Sequence, residues 1–226
     1  PIDTLVVATG AAERDYIAAL VRRAIAAGAR VVEAPARLMS KVTQKENPQG
    51  VVAAFVQQER TLDALAVDPA APDHGPGLWL ALYEVREPCN LGTILRTADC
   101  AGITGVALLE TCCDPYSVEA VRASMSSEID MRFASATFDS FDAWRKQQGA
   151  QMIAASVNGT ARHDHSPMTA PTVILMGNEQ AGLPAEAEAA CDSLVLIPMR
   201  GGADSLNLAQ ATAVMTYEAW RQRGFA

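Results

Sequence analysis

The sequence predicts an α/β protein, a parallel sheet covered by helices on both faces and preceded by a smaller α/β unit. Three observations carry that expectation. From Leu78 onward, short apolar runs alternate with segments of helical length and period. The runs are apolar enough to be strands buried on both faces, which is the mark of a parallel sheet. The stretch Pro69–Gly77, with Pro69, Pro72, Pro76, Gly75 and Gly77, is the clearest break in the chain.

Taken in order, residues 5–8 (Leu5-Val6-Val7-Ala8) read as a strand, and 11–27 as a helix with Ile17, Leu20, Val21 and Ile25 at its apolar positions. Gly28 stops that helix, as glycine commonly does at a C-terminus. Val31-Val32 begins a second strand, Arg37-Leu38-Met39 a helical turn, 43–50 a polar loop, and 51–56 a third strand. This first unit, residues 1–62, reads as incomplete, because Pro1 leads almost directly into an apolar run. Residues 63–77 read as a linker. In the second domain, 78–226, strands are expected at 78–85, 105–109, 151–156, 172–176 and 193–197. Helices are expected near 91–101, 117–126, 139–148, 184–190 and 205–223.

The 226 residues suffice for a catalytic domain plus a small companion. No apolar run approaches the ~20 residues of a membrane helix, and no secretory pattern opens the chain, so no membrane partner is expected. Five cysteines (Cys89, Cys100, Cys112, Cys113, Cys191), odd in number and without C-x-x-C spacing, argue against disulfides and a zinc site. They read as reduced thiols of a cytoplasmic protein. His74 and the run His163-Asp164-His165 lack a further ligand at metal spacing, so they read as surface histidines and no metal is expected. The net charge of −8 opposes phosphate binding, but it is unevenly spread. Residues 1–60 hold eight Arg and Lys against six Asp and Glu, and residues 61–226 hold ten against twenty. Any contact with nucleic acid would fall to the N-terminal segment and a few local arginines.

Three segments carry more than fold information. In Glu84–Ala98 a strand gives way to a helix, the usual ligand side of an α/β sheet. By itself Asn90 suits a helix N-cap there, and Arg96 an exposed helix position. In Leu175–Pro184 a strand enters a loop with Gly177 and Gly182, whose backbone can approach a ligand closely. An ordinary turn would explain both glycines but not the Asn178-Glu179 between them. In Leu196–Ala209 a strand enters a glycine turn and Ser205 opens the last helix, as an N-cap or in a functional role. Leu206, Ala209, Ala213, Tyr217 and Trp220 recur at helical spacing and suit core or dimer packing.

Together these segments resemble, in order and at compatible separations, the three motifs of the TrmH (SpoU) branch of the SPOUT methyltransferases, over about residues 80–223. N-x-G-x-x-x-R is met by Asn90, Gly92 and Arg96; G-N-E by Gly177, Asn178 and Glu179; S-L-N by Ser205, Leu206 and Asn207. Gln180 departs from the glycine usual after the glutamate. Asn47-Pro48-Gln49-Gly50 resembles the end of the family's ribosomal-protein-like RNA-binding domain. The resemblance implies a C-terminal trefoil knot, a homodimer with a shared active site, and S-adenosylmethionine bent into the knot loops. No G-x-G-x-x-G follows a strand, so a Rossmann-type cofactor site is not expected.

The implied reaction is methyl transfer to a ribose 2′-hydroxyl of RNA, with rRNA favoured over tRNA. Positioning should dominate it, because the oxygen must align with the methyl group. The resemblance also offers Arg96 as the base, but a charged guanidinium has no acceptor, and Arg96 reads better as a phosphate clamp. Asn90, Glu179, Ser205 and Asn207 would arrange the hydroxyl or the loops. Met176, Gly177, Asn178, Ile197, Met199 and Leu206 would hold the cofactor. The alternatives are a non-catalytic RNA-binding or ribosome-assembly dimer of the same fold, and a small-molecule α/β enzyme.

Overall fold

The computed structural model describes residues 1–43, 46–67 and 75–225. Gln44, Lys45, Ala226 and the part of the expected linker holding Pro69, Pro72 and His74 lie outside the described residues. Two compact units emerge, Pro1–Gln58 and Glu59–Ala226.

In the first unit, β1 (Ile2–Ala8) lies between β2 (Arg30–Ala34), to which it is parallel, and β3 (Val51–Phe55), to which it is antiparallel. Helix α1 (Asp15–Ala26) connects β1 to β2, and α2 (Ala36–Thr43) follows β2. The helix expected from residue 11 starts at Asp15, because Gly10 turns left-handed and Ala11–Glu13 form a 3-10 turn. Leu5, Val7 and Ile17 form the heart of its core. Gly28, at φ 82, occupies the left-handed position expected of it.

The larger unit is a seven-stranded sheet in the order β6-β5-β4-β9-β7-β10-β8, and every pairing in it is parallel. Its strands are β4 (Leu78–Tyr83), β5 (Gly105–Leu109), β6 (Phe133–Ala136), β7 (Gln151–Ala155), β8 (Ala161–Arg162), β9 (Thr172–Met176) and β10 (Ser193–Leu196). Its helices are α3 (Pro88–Cys100), α4 (Val118–Ser124), α5 (Ser127–Asp130), α6 (Phe138–Gln147), α7 (Ala185–Ala189) and α8 (Leu208–Gln222).

Alternation along β4 shows how the layers form. Leu78, Leu80 and Leu82 join one core with Ile94 and Leu95 of α3 and Met215 of α8. Trp79 and Ala81 point the other way, into a core with Phe138, Phe141 and Trp144 of α6. Leu62–Leu65, which straddle the start of the stretch expected as a linker, form a 3-10 turn, and the Trp79 indole donates to the carbonyl of fully buried Leu65 at 2.8 Å. No helix among the described residues is long and apolar enough to cross a membrane.

Two strands were not expected. β6 is four residues of modest hydrophobicity at a sheet edge, and β8 is two residues held by β10 alone. The helix expected over 117–126 ends at Ser124, where Met125 and Ser126 both turn left-handed before α5. The last helix also starts later than expected. Asn207 caps it, its Oδ1 accepting from the Ala209 amide at 2.9 Å, so Ser205 is not the cap. Its buried face is Leu208, Ala209, Thr212, Met215, Thr216 and Ala219. Of the expected stripe only Ala209 is buried, and Tyr217 stays 43% exposed. Of the two threonines on that face, Thr212 satisfies its hydroxyl within the helix, donating to the Leu208 carbonyl at 2.8 Å, whereas the buried Thr216 hydroxyl has no partner among the described residues.

Candidate active site

The strand order reverses direction at β4 and β9, and α/β sheets open their ligand crevices beyond the C-terminal strand ends at such points. Next to that point, on the side of β9 away from β4, the chain makes a cleft of about 360 Å³. Its walls come from the ends of β7, β9 and β10, and from the loop leading to α8. Apolar side chains of Met176, Leu183, Leu196, Ile197, Leu206 and Leu208 line most of it.

Gly177 follows β9 at the base of the cleft. A Cβ there would lie 2.5 Å from the carbonyl carbon of Gly182 and 2.8 Å from the Leu183 nitrogen. The loop folds back on itself, with Asn178 and Gly182 exchanging backbone hydrogen bonds at 2.9 and 3.0 Å. Gly182 completes the return at φ 68, a conformation that side chains resist. Both glycines of the segment are therefore explained by backbone packing. The side chain of Asn178 does the rest. Its Oδ1 accepts from the amides of Gln180 and Ala181, and its Nδ2 donates to the Glu84 carbonyl at 2.7 Å. Glu84 holds a left-handed φ of 49 just past β4, so the Asn178 amide pins a strained turn beside the site.

Glu179 points from this loop to the start of α3. One carboxylate oxygen accepts from the Arg86 amide at 3.1 Å, and the other from the Glu87 amide at 3.2 Å and Asn90 Nδ2 at 3.1 Å. Asn90 is therefore not the N-cap; α3 begins at Pro88, and a glutamate some ninety residues away accepts from the two backbone amides that lead into it, those of Arg86 and the N-cap Glu87. Burial would push the Glu179 carboxyl up, but the donors from Asn90, Arg86 and Glu87 outweigh it and hold it below the usual glutamate range. Asn90 also accepts, through Oδ1, from Asn207 Nδ2 at 3.0 Å. Glu179, Asn90 and Asn207, one from each sequence segment, thus form a continuous hydrogen-bonded chain.

The remaining expected residues fall into two groups. Met176, Gly177, Asn178, Ile197, Met199 and Leu206 all line the cleft, as do Glu179 and Ser205. Arg96 is exposed on α3 and outside the cleft, with no ion pair among the described residues. Gly92 has a packing role: a Cβ there would collide with the Ala120 carbonyl of α4.

Sequence reasoning missed Ser156, Asn158 and Glu188, which make the polar end of the cleft. The available signal was a serine and an asparagine just past an apolar strand, on the ligand side of the sheet. Cys113 lies near Glu179, but burial first, then Cys112 and Glu179, push its thiol up to about 11, which rules out a thiolate nucleophile near neutrality. Among the described residues no three His, Cys, Asp or Glu side chains could hold a metal ion.

Comparison with known proteins bears on this arrangement. Residues 77–217 match the SpoU rRNA Methylase family. An S-adenosylmethionine-bound rRNA methyltransferase structure from Sinorhizobium meliloti superposes with a TM-score of 0.87 at 38% identity, covering 97% of this chain and 80% of that one. A 23S rRNA (uridine(2479)-2′-O)-methyltransferase of Streptomyces viridochromogenes is 32% identical over 204 residues, 86% of this chain and 68% of its own. An uncharacterized tRNA/rRNA methyltransferase of Synechocystis is 34% identical over 191 residues, 82% of this chain and 65% of its own. The chain thus spans just under two thirds of that relative's length.

Proposed function

Because this chain belongs to the SpoU rRNA methylase family, we propose that it transfers a methyl group from S-adenosylmethionine to a ribose 2′-hydroxyl of RNA, with rRNA favoured over tRNA. The observation that carries the reading is the Glu179–Asn90–Asn207 chain beside a cleft with a close-packed glycine base.

The cleft fits the cofactor. Gly177 removes the one Cβ that would force the β9 loop open, and the apolar walls suit a purine. Met176, Gly177, Asn178, Ile197, Met199 and Leu206 would hold it there. S-adenosylmethionine supplies an electrophilic methyl on a sulfonium.

This chain's own work is positioning. Glu179 already accepts three hydrogen bonds and is held in its charged form, so it is a poor proton acceptor and a good brace for α3. Asn90, half-buried, and Asn207, exposed, are placed to orient a hydroxyl, and Ser205 lines the cleft two residues before Asn207. Arg96, outside this network, is assigned to an RNA phosphate that fixes the ribose, a task its planar fork suits.

The insertion of β9 between β4 and β7, and of β10 between β7 and β8, supports the threaded knot. The homodimer with a shared site is supported by the outward Tyr217, which packs edge-on against Trp220 at 5.5 Å. Residues 1–62 are assigned to RNA binding, residues 63–77 to a linker and 78–226 to catalysis. The cytoplasm is the assigned location.

The test is transfer of labelled methyl to total RNA from cells lacking the gene, followed by nuclease digestion. A 2′-O-methylnucleoside mapped to one rRNA position is the expected result. Label on a base refutes the ribose assignment. Cofactor binding without transfer to any RNA favours the non-catalytic dimer.

A further inference from the structure

Every charged side chain lining the cleft is a carboxylate. Glu179, Glu188 and Asp204 face it, and among the described residues no Lys, Arg or His does. The three are not equivalent. Glu179 spends its charge on the start of α3 and on Asn90. Asp204 is exposed in the glycine turn, where water and salt screen it.

Glu188 is different. It is half-buried on α7. Ser156 donates to its Oε1 at 2.5 Å, and Asn158 Nδ2 lies 3.3 Å from each oxygen. These donors are neutral, so they solvate the carboxylate without cancelling its charge. Among the described residues no cation pairs with it. A partly desolvated carboxylate without a counter-charge favours a ligand that brings one.

The methyl donor and its demethylated product differ by one methyl group and one positive charge. Resting on the cofactor reading above, we propose that Glu188 makes the cleft selective for a cationic sulfonium over a neutral thioether, and so for the donor over the product. Glu188 is then a specificity-determining residue: it favours loading of fresh donor while product is present.

The experiment is calorimetric binding of S-adenosylmethionine and S-adenosylhomocysteine to the wild type, Glu188→Gln and Glu188→Asp, with folding followed by thermal unfolding. The wild type should prefer the donor, and Glu188→Gln should weaken donor binding by about tenfold while leaving product binding nearly unchanged. Glu188→Asp keeps the charge and should keep most of the preference. A further measurement needs no variant: sinefungin, with an ammonium in place of the sulfonium methyl, should bind the wild type more tightly than the product. Equal losses on both ligands in Glu188→Gln would place Glu188 on a part they share and overturn the proposal. So would a wild type that binds sinefungin no better than the product. A wild type that binds none of the three overturns the cofactor reading itself, a separate failure.

Discussion

Asn90→Ala removes the side chain that links all three loops of the site. It deletes a donor to the Glu179 carboxylate at 3.1 Å and an acceptor for Asn207 at 3.0 Å. A hydrogen bond to a charged group contributes about 1.5–3 kcal/mol and one between neutral amides about 0.5–1.5. Both lie at a partly exposed rim, so the lower ends apply and about 2 kcal/mol is expected in total. In a unit of this size that lowers Tm by about 4–8 °C. The loss is local. Glu179 keeps two backbone donors, Asn207 still caps α8, and Gly177 is untouched, so cofactor affinity should change little. The assay is a double-mutant cycle with Asn207→Ala in urea, which cancels the lost cap and isolates the pair. A coupling of about 0.5–1.5 kcal/mol is expected. A coupling below ~0.3 kcal/mol would show that the contact does not tie the first segment to the third, and would refute a positioning role for Asn90.

Other consequences are checked more simply. Gly177→Ala places a Cβ 2.5 Å from the Gly182 backbone, so cofactor affinity by calorimetry should fall by more than tenfold; near-normal binding would show that the loop has slack. Glu179 has a folded pKa below its unfolded one, so its stabilisation is present above the ordinary carboxylate range and fades as pH falls through it. The stability gap between wild type and Glu179→Gln should therefore narrow between about pH 5 and pH 3, and a gap that widens on acidification contradicts the assignment. Arg96→Ala should weaken RNA binding and reduce its salt slope by about one, with Arg96→Lys intermediate and cofactor binding unchanged in both. Unaltered RNA affinity and salt slope with methyl transfer abolished would defeat the clamp.

Which distant residues meet was more legible in the sequence than the local structure around them. Asn90, Glu179 and Asn207 could be named as a set because residue types that make little sense singly recur in order. What the linear text hid is who satisfies whom. Asn90 suits an N-cap by type, yet α3 begins two residues before it, and a glutamate from a distant loop holds the amides that lead into the helix, a partnership no local pattern records. Ser205 lost the cap to Asn207 because the glycine turn runs two residues longer than the apolar period suggested. β6 and β8 were invisible because their edge pairing, rather than their own hydrophobicity, makes them strands. Glu188 could not be found from its own segment; α7 reads as a short acidic helix until Ser156 and Asn158 are seen beside it.

The hydrogen-bonded chain joins residue 179 to residue 207 through residue 90. Each such contact closes a loop of roughly a hundred residues, and the entropy lost in closing it is recovered only when the partner segment docks. Helix α3 can form early, but the Arg86 and Glu87 amides leading into it lack the Glu179 carboxylate until β9 has entered the sheet. The Asn90 amide in turn waits for the residue that begins α8. During synthesis, a chain that has not yet been extended past Asn207 has a nearly complete sheet and an open rim. Topology of this kind slows folding, and it makes the hydrogen-bonded rim the last part of the molecule to become ordered.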